Sequence, residues 1–461
     1  MLRIRSLTLA VLLAMGASAA SADDLMQIYQ QARLADPTLA SAEATKLATD
    51  ENIDQARAQL LPQATGSLGF TRTYNGSNTP VEITDPNDPK KSITVNNSSK
   101  TSYQRSLGAT LNQSLLDISK WTALKSSRYT ARAGAATYDA AQQDLLVRTA
   151  TAYFGVLTAS DTLKFAIANE KALARQLEQA QQRFDVGLAA ITDVNDAKAQ
   201  HDQAVASVIA DQNAVDQARE AVRQITNKEP GQFKKLREDL PLDHPVPDDP
   251  NAWVDVALKQ SPILSSAALQ VDAANANINT ARAGHLPTLN AQLGYSRAPN
   301  WGTVNPSVMD TLGTFDSNPK WGSSIGLTLS VPLYTGGAVQ SHVRQAIHNR
   351  DYAQDQYELN RRTVEANTRN SYRSVIAGAS EVKATKAAVT SAESSVEATK
   401  AGYEVGTRTI IDVLISQQTL LQAQSSYSSA RHTFVLNGLL LKQSAGVIEV
   451  KDLAAINALL E

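Results

Sequence analysis

The sequence contains no cysteine and only six histidines among its 461 residues. The lack of cysteine excludes disulfide bonds and thiolate metal ligands, and no two histidines have a zinc-ligand spacing such as H-x-x-x-H. The net charge of −2 argues against a basic nucleic-acid-binding protein. No nucleophile–base set or phosphate-binding loop is found, so no enzyme is expected. We therefore expect no metal, no cofactor and no nucleic-acid partner.

Long apolar runs are missing after the N-terminus. Residues 1–22 have the pattern of a secretory signal peptide, with Arg3 and Arg5, an apolar segment at 7–15 and a small-residue cleavage site at 20–22. After it no run of about 18 apolar residues occurs, so no transmembrane helix is expected. The sequence therefore predicts an exported protein. A membrane β-barrel is still possible, because its strands alternate between apolar and polar residues and contain no long apolar run.

Proline is absent from two segments of 140 and 129 residues. Because proline breaks helix interiors, we predict a helix of about 65 residues in each, starting near Ile118 and Ala338. Gly187 and Gly406 are then the turns of two helical hairpins. After each turn a coiled-coil period of seven appears, which an ordinary coiled coil would also show. Its positions are Val194, His201, Val208, Val215 and Val222, then Val413, Leu420, Tyr427, Phe434 and Leu441.

Large apolar residues alternate with small or polar ones in four segments, at 68–74, 103–111, 289–295 and 321–333. This period predicts strands, joined in pairs by polar loops at 75–100 and 298–319. A soluble β-sandwich and a membrane sheet both fit the alternation. Four strands cannot close a barrel, and open edges in lipid leave backbone groups unpaired. In a membrane, several chains would therefore share one barrel.

The two halves of the sequence resemble each other. Val186-Gly187 recurs 219 positions later as Val405-Gly406, and Ala56-Arg57-Ala58 has a counterpart at 281–283. We interpret this as an internal two-fold repeat. The predicted domains are a signal peptide at 1–22, a first repeat at 23–226, a linker at 227–250, a second repeat at 251–442 and a C-terminal tail at 443–461. Each repeat holds a helix, two membrane strands and a long helical hairpin.

Several long segments resemble the outer-membrane efflux proteins, namely 25–34, 149–154, 183–188, 190–194, 284–289 and 402–410. The resemblance implies a mixed α+β, mostly α fold. In it a homotrimer forms a β-barrel in outer-membrane lipid, with four strands per chain. The barrel continues into a long α-helical coiled-coil barrel in the periplasm of a Gram-negative cell, and the linker and tail form an equatorial belt.

The resemblance further implies a passive exit duct for multidrug efflux and type I protein secretion. A periplasmic adaptor (membrane fusion) protein and an inner-membrane RND or ABC transporter would recruit it and open its entrance. The alternative is a periplasmic coiled-coil adaptor or scaffold that never enters a membrane. Adaptors normally have one hairpin and lipoyl-like modules, whereas two hairpins and four strands favour the duct.

The resemblance also implies site residues near the two turns. The entrance gate comprises Gln176, Thr192, Asp193, Tyr403 and Arg408, with Asp412 at the constriction. Adaptors dock at Val186, Gly187, Leu188, Val405, Gly406 and Thr407. Lys400 replaces the acidic partner of Gln176, and Ile415 replaces a second constriction acid, which predicts weak divalent-cation block. Taken alone, Asp193, Arg408 and Asp412 also fit solvated charges beside turns.

Overall fold

The computed structural model describes residues 24–76, 80–85, 88–96, 100–304 and 313–461. The predicted signal peptide at 1–22 lies outside these residues. The chain forms two compact units. The helical unit comprises residues 24–48, Arg132–Leu269 and Gln354–Glu461, and the sheet unit comprises the described parts of Thr49–Ala131 and Gln270–Ala353.

Helices account for most of the described chain. They are α1 (Leu25–Ala35), α2 (Pro37–Ala58), α3 (Ile118–Asp185), α4 (Ile191–Thr226), α5 (Pro250–Gln260), α6 (Pro262–Ala283), α7 (Ala338–Glu404), α8 (Ile410–Ser444) and α9 (Val450–Asn457). α3 has 68 residues and α7 has 67, which confirms the two long helices predicted from the missing prolines. No helix in the described ranges is long and apolar enough to cross a membrane.

Proline sets the boundaries of the short helices. Asp36 and Ser261 precede Pro37 and Pro262, and their backbones are extended, with ψ of 116° and 120°. The proline ring disfavours the α conformation in the residue before it, so α1 and α5 end there. The Asp36 carboxylate accepts a hydrogen bond from the backbone N–H of Leu39 at 2.9 Å, which caps the helix that follows.

The core of the helical unit is built from α1, α3, α4, α8 and α9. Leu25, Leu145, Tyr153, Phe154 and Leu453 are among its fully buried side chains. Six of the ten predicted period-seven residues are buried. Those buried are Val194, Val215 and Val222 in α4 and Val413, Phe434 and Leu441 in α8. The seven-residue pattern therefore predicted the packed faces of both helices correctly.

The sheet unit holds eight strands within the described residues. They are β1 (Gln63–Asn75), β2 (Pro80–Asp85), β3 (Asp88–Asn96), β4 (Lys100–Leu116), β5 (Thr288–Arg297), β6 (Asn300–Val304), β7 (Gly313–Ser317) and β8 (Gly322–Ser330). All pairings are antiparallel. β4 pairs with β1 on one side and with β5 and β6 on the other; β5 pairs with β8 and β6 with β7. β2 and β3 form a separate hairpin.

β5 and β6 both pair with β4, and they do so in a single continuous register. Arg297 opposes Leu107 and Asn300 opposes Gln104, so the chain between them adds no bulge. Pro299 has no N–H to donate, but its carbonyl accepts a hydrogen bond from the backbone N–H of Arg105 at 3.0 Å. β5 and β6 are therefore one long strand interrupted at a proline.

Three of the segments predicted as strands lie within β1, β4 and β5, and the fourth, at 321–333, is a strand over Gly322–Ser330 only, in β8. The two loop predictions are wrong in part, because β2 and β3 occupy the first and β6 and β7 the second. Val81 opposes Val95 in the first hairpin, an alternation that the surrounding Asp, Asn and Ser residues obscured.

The two faces of the main sheet differ in composition, since directly opposed residues share a face. One face, called the apolar face below, carries large side chains such as Leu68, Ile325 and Leu327, which are 81%, 79% and 67% exposed. On the other face, β1, β5 and β8 present only glycine, serine, threonine, asparagine and glutamine. A large apolar surface is thus left open in the single chain.

Candidate functional site at the ends of the helical hairpins

The first hairpin turns at Gly187, whose φ of +79° lies in the left-handed region. Its N–H donates to the carbonyl of Phe184 at 2.8 Å, and the N–H of Leu188 donates to the carbonyl of Arg183 at 2.7 Å. This pair of bonds is a Schellman motif, which ends α3 and favours glycine at the left-handed position. The predicted turn is confirmed.

The second hairpin turns in the same way at Gly406, with φ of +83°. Gly406 and Thr407 donate to the carbonyls of Tyr403 and Gly402 at 3.1 and 2.8 Å. A Cβ atom on Gly402 would lie 2.8 Å from Cγ of Arg408. The missing side chain at Gly402 therefore leaves the space that Arg408 occupies, a positioning role that the sequence analysis missed.

The tips of both turns are apolar and open. Val186, Leu188 and Val405 are 68%, 73% and 75% exposed. A Cβ atom on Gly187 or Gly406 would meet nothing within 4 Å. These three apolar residues, the two glycines and Thr407 are the six predicted docking residues. All six lie at the hairpin ends, where a partner could reach the backbone directly.

The two hairpins differ at the start of the returning helix. Thr409 and Asp412 form a capping box on α8. The backbone N–H and the hydroxyl of Thr409 both donate to the Asp412 carboxylate at 2.9 Å, and these bonds lower the pKa of Asp412 below its ordinary range. On α4 the cap residue is Ala190, which makes no side-chain bond. Asp193, at the position corresponding to Asp412, therefore has no hydroxyl to bind.

The predicted gate residues Thr192, Asp193 and Arg408 lie beside these turns. Thr192 and Arg408 are exposed, and Asp193 is half-buried. Within the described part of the protomer, none of the three side chains makes a hydrogen bond or ion pair. The predicted bonds from Arg408 to Thr192 and Asp193 are thus absent inside one chain, and all three groups remain available to another copy.

Tyr403 connects the two hairpins inside the chain. It packs against the buried cluster of Leu173, Ala204, Ile410 and Leu414. The guanidinium of Arg183, in the last turn of α3, lies 4.8 Å from the ring centroid, a cation–π contact. No sequence pattern places Arg183 on Tyr403, because the contact depends on how α3 and α7 pack.

A groove of about 610 Å³ runs between the ends of α3 and α7. Gln176 and Lys400 both line it without bonding each other, and Gln176 is 6% exposed. Gln417 faces the same groove, and within the described structure its buried Oε1 has no hydrogen-bond partner. Arg175, Arg183, Lys400 and Glu404 make the lining net basic. No group of three or more metal-ligating side chains is found among the described residues.

Comparison with known proteins identifies the class. The family profile described as outer membrane efflux protein matches residues 28–228 and 253–447. Outer membrane protein TolC of Escherichia coli (strain K12) is 39% identical over 443 residues, which are 95% of this chain and 85% of TolC. Proteases secretion protein PrtF of Dickeya chrysanthemi is 26% identical over 99% of this chain and 95% of its own length.

Among solved structures, the CmeC outer membrane channel of Campylobacter jejuni has a similar fold. Its TM-score is 0.73 at 16% identity, over 95% of this chain and 90% of CmeC. The chain belongs to the outer membrane efflux protein family. It is an outer-membrane exit duct for efflux and protein secretion, with its tunnel in the periplasm. This decides against the alternative of a periplasmic adaptor or scaffold.

Proposed function

We propose that three copies of this duct protein share one membrane β-barrel, which continues into a long α-helical coiled-coil barrel. The sheet carries the proposal. Its apolar face is open, and among the described strands β1 and β8 each pair on one side only. Unpaired strand edges do not persist in lipid. If β8 of one copy pairs with β1 of the next, both edges are satisfied.

Each chain then contributes four passes to the barrel: β1, β4, β5 with β6, and β7 with β8. The shared register of β5 and β6 supports counting them once. Three copies supply twelve strands, and the alternation of apolar and polar faces suits a barrel between lipid and water.

An internal duplication accounts for the element order. α1 and α5 both have 11 residues, and α2 and α6 both have 22. α4 has 36 residues and α8 has 35. These matched lengths support two copies of one structural half, joined by the linker at 227–250.

The linker and the tail at 443–461 support the proposed equatorial belt. Lys235 and Glu461 exchange two backbone hydrogen bonds of 2.9 Å, and Arg237 donates to the carbonyl of Leu459 at 3.0 Å. A two-stranded bridge thus fastens the linker to the end of the chain, beside α9 and the core of the helical unit.

The hairpin tips are the proposed docking site for a periplasmic adaptor, which brings in an inner-membrane RND or ABC transporter for drug efflux or type I secretion. Three exposed apolar side chains and two glycines with open surroundings support this role. An apolar helix end of a partner could cover them, and glycine lets it approach the backbone closely.

At rest, the same hairpin ends close the entrance. Arg408 bonds Thr192 and Asp193 of a neighbouring copy, and Gln176 faces Lys400 across the groove. The single-chain geometry supports this, because the Asp193 carboxylate and the Arg408 guanidinium are free within the described protomer. Asp412 lies near the constriction, next to the cap it forms.

Cross-linking of introduced cysteines tests the shared barrel, because the protein has no native cysteine. Thr65 on β1 and Ser324 on β8 lie at the same level of the sheet, both on the polar face. We expect the double variant Thr65→Cys/Ser324→Cys to give dimers and trimers with a flexible bismaleimide. The control Thr110→Cys, on β4 between two neighbours, should stay monomeric in denaturing gels. A folded, detergent-extracted monomer would refute the proposal.

A further inference from the structure

Three arginines stand on the apolar face of the main sheet. Arg72 on β1, Arg105 on β4 and Arg297 on β5 lie opposite positions 103, 70 and 107, so all three share the face of the exposed leucines. They fall within positions 103 to 107 of β4, a band of about 14 Å along the strands. The polar face of β1, β5 and β8 carries no arginine.

A lipid-facing arginine is costly at the bilayer midplane and tolerated near the interfaces. The three arginines lie on the apolar face and not on the polar face, so near an interface their guanidinium groups are accessible to a partner on the lipid side. The inference rests on the barrel proposed above, in which the apolar face meets lipid.

The band lies away from the helix ends of the strands. β1 begins just after α2, and β4 ends just before α3, so Gln63 and Leu116 mark the end of the sheet that leads into the helices. Leu289 and Leu329 lie near that end on the apolar face. Because the tunnel is periplasmic, the arginine band falls toward the outer leaflet.

Aromatic rings hold two of the guanidinium groups in place. Arg105 lies 5.1 Å from the ring centroid of Trp301, and Arg72 lies 5.8 Å from that of Tyr103. The rings of Tyr103 and Trp301 stack on each other with centroids 6.0 Å apart. Such rings belong to the headgroup level of membrane strands. They orient the guanidiniums without neutralising them.

The third guanidinium is held by neutral acceptors. Arg297 donates through Nε to the carbonyl of Pro319 at 3.1 Å and through Nη2 to Oδ1 of Asn318 at 2.6 Å. Across the described residues, no ion pair neutralises any of the three arginines. Asp316 opposes Trp301 at the edge of this band, and it forms no ion pair with any residue that the structure describes.

We propose that Arg72, Arg105 and Arg297 bind the phosphate groups of a phosphorylated lipid in the outer leaflet. Arginine offers a planar fork of donors that matches phosphate oxygens in pairs. Three such forks on an apolar, aromatic surface complement a lipid that has two or more phosphates above its acyl chains. The occupant is a lipid headgroup, seated on the outside of the barrel.

Native mass spectrometry of the full-length protein in detergent tests this site. Separate samples receive diphosphorylated lipid A, the same lipid without phosphates, or phosphatidylethanolamine. Wild-type protein should retain the diphosphorylated lipid about tenfold better than the dephosphorylated one, since several charge-assisted bonds depend on phosphate. The variant Arg72→Gln/Arg105→Gln/Arg297→Gln should lose that preference. The control Arg344→Gln/Arg362→Gln/Arg373→Gln, on α7, should keep it.

Three other results of the lipid-retention experiment would overturn the phosphate site, each for a different reason. Equal retention of both lipid A forms by wild type, with normal channel conductance, refutes the phosphate site and leaves the barrel standing. Displacement of the lipid by millimolar inorganic phosphate would mean that the arginines take free phosphate instead of a headgroup. Failure of wild type to retain any of the three lipids, phosphatidylethanolamine included, would refute the barrel as well.

Discussion

Asp193 and Asp412 occupy corresponding positions in the two hairpins, but their carboxylates differ in the hydrogen bonds that they accept from the cap residue. The carboxylate of Asp412 already accepts two bonds from Thr409, whereas Ala190 offers Asp193 none. The sequence Thr409-Ile-Ile-Asp412 is a capping signature, so this difference could have been predicted. The contact between Arg183 and Tyr403 could not, because it joins residues from helices whose relative packing no local pattern encodes.

The role of Asp412 can be separated from that of its cap. Asp412→Ala removes both the cap acceptor and the charge near the constriction, whereas Thr409→Ala removes the capping hydroxyl and leaves the charge. We expect both variants to loosen the start of α8, and only Asp412→Ala to lower cation preference in planar bilayers, by several-fold at most because Ile415 adds no second acid. Equal selectivity in the two variants would contradict a constriction role.

The sign of the pH effect on this cap follows from its pKa. The folded-state pKa of Asp412 is lowered by the bonds from Thr409, so its stabilising contribution is fully present above the ordinary carboxyl pKa. That contribution is lost only as the pH falls through the lower, folded value. The cap is therefore complete throughout the neutral range.

Tyr403 should act through its ring as well as its hydroxyl. Tyr403→Phe keeps the cation–π contact with Arg183, and Tyr403→Leu removes it. That contact is worth about 0.5–1 kcal/mol at an exposed site, or roughly a two- to fivefold change in the closed-to-open ratio. We expect single-channel conductance to rise in the order wild type, Arg408→Ser/Tyr403→Phe, Arg408→Ser/Tyr403→Leu. If Arg408→Ser/Tyr403→Phe conducts like wild type, the gate lies elsewhere.

At the scale of elements, the absence of proline and the two glycines were sufficient to predict both long hairpins. Gly187 and Gly406 adopt the left-handed conformation that the end of a helix requires, and this requirement depends only on neighbouring residues. The strands β2, β3, β6 and β7 were not predicted because polar residues mask their alternation, although β2 and β3, like β6 and β7, pair as consecutive strands. Local sequence patterns thus predicted the helices and their turns, but not the strands in which apolar and polar residues do not clearly alternate.

Asparagine substitutions test the tips without straining the turns. Asparagine tolerates the left-handed region better than other non-glycine residues, and the space at both glycines is open. We expect Gly187→Asn and Gly406→Asn each to lower drug resistance about tenfold, with an unchanged level of the proposed trimer, because the side chain would block close approach of the proposed adaptor. Gly336→Asn is the matched control, since Gly336 has φ of +62° and open space away from the tips. Full resistance in both tip variants would exclude docking there.

At the scale of the whole molecule, a buried histidine links stability to pH. His432 is 3% exposed, its Nδ1 lies 2.8 Å from the hydroxyl of Thr158, and Phe154 packs on its ring. Burial, opposed by the charge of Asp161 and assisted by that of Arg431, lowers the pKa of His432 to about 4. The neutral ring therefore stabilises the fold fully above pH about 6.5, and that stabilisation is lost as the pH falls toward about 4.

We expect the temperature at which the proposed trimer dissociates to fall between pH 6.5 and 4, by an amount that reflects about 3 kcal/mol per chain. His432→Gln cannot titrate, so its dissociation temperature should vary less over this range. His348→Gln, whose histidine side chain is 80% exposed, should behave like wild type. Heated and unheated gel samples across the pH series measure this. A profile for His432→Gln as steep as that of wild type would refute the assignment.

The unequal caps of the two hairpins have a consequence for symmetry. Around a trimer, six hairpin ends would alternate between a turn closed by a capping box and a turn that has only its glycine motif. Backbone amides of residues 191–193 should then exchange with deuterium faster than those of 410–412. The six hairpin ends at the rim of the tunnel would then loosen at three places only. Opening of the tunnel would therefore follow threefold instead of sixfold symmetry.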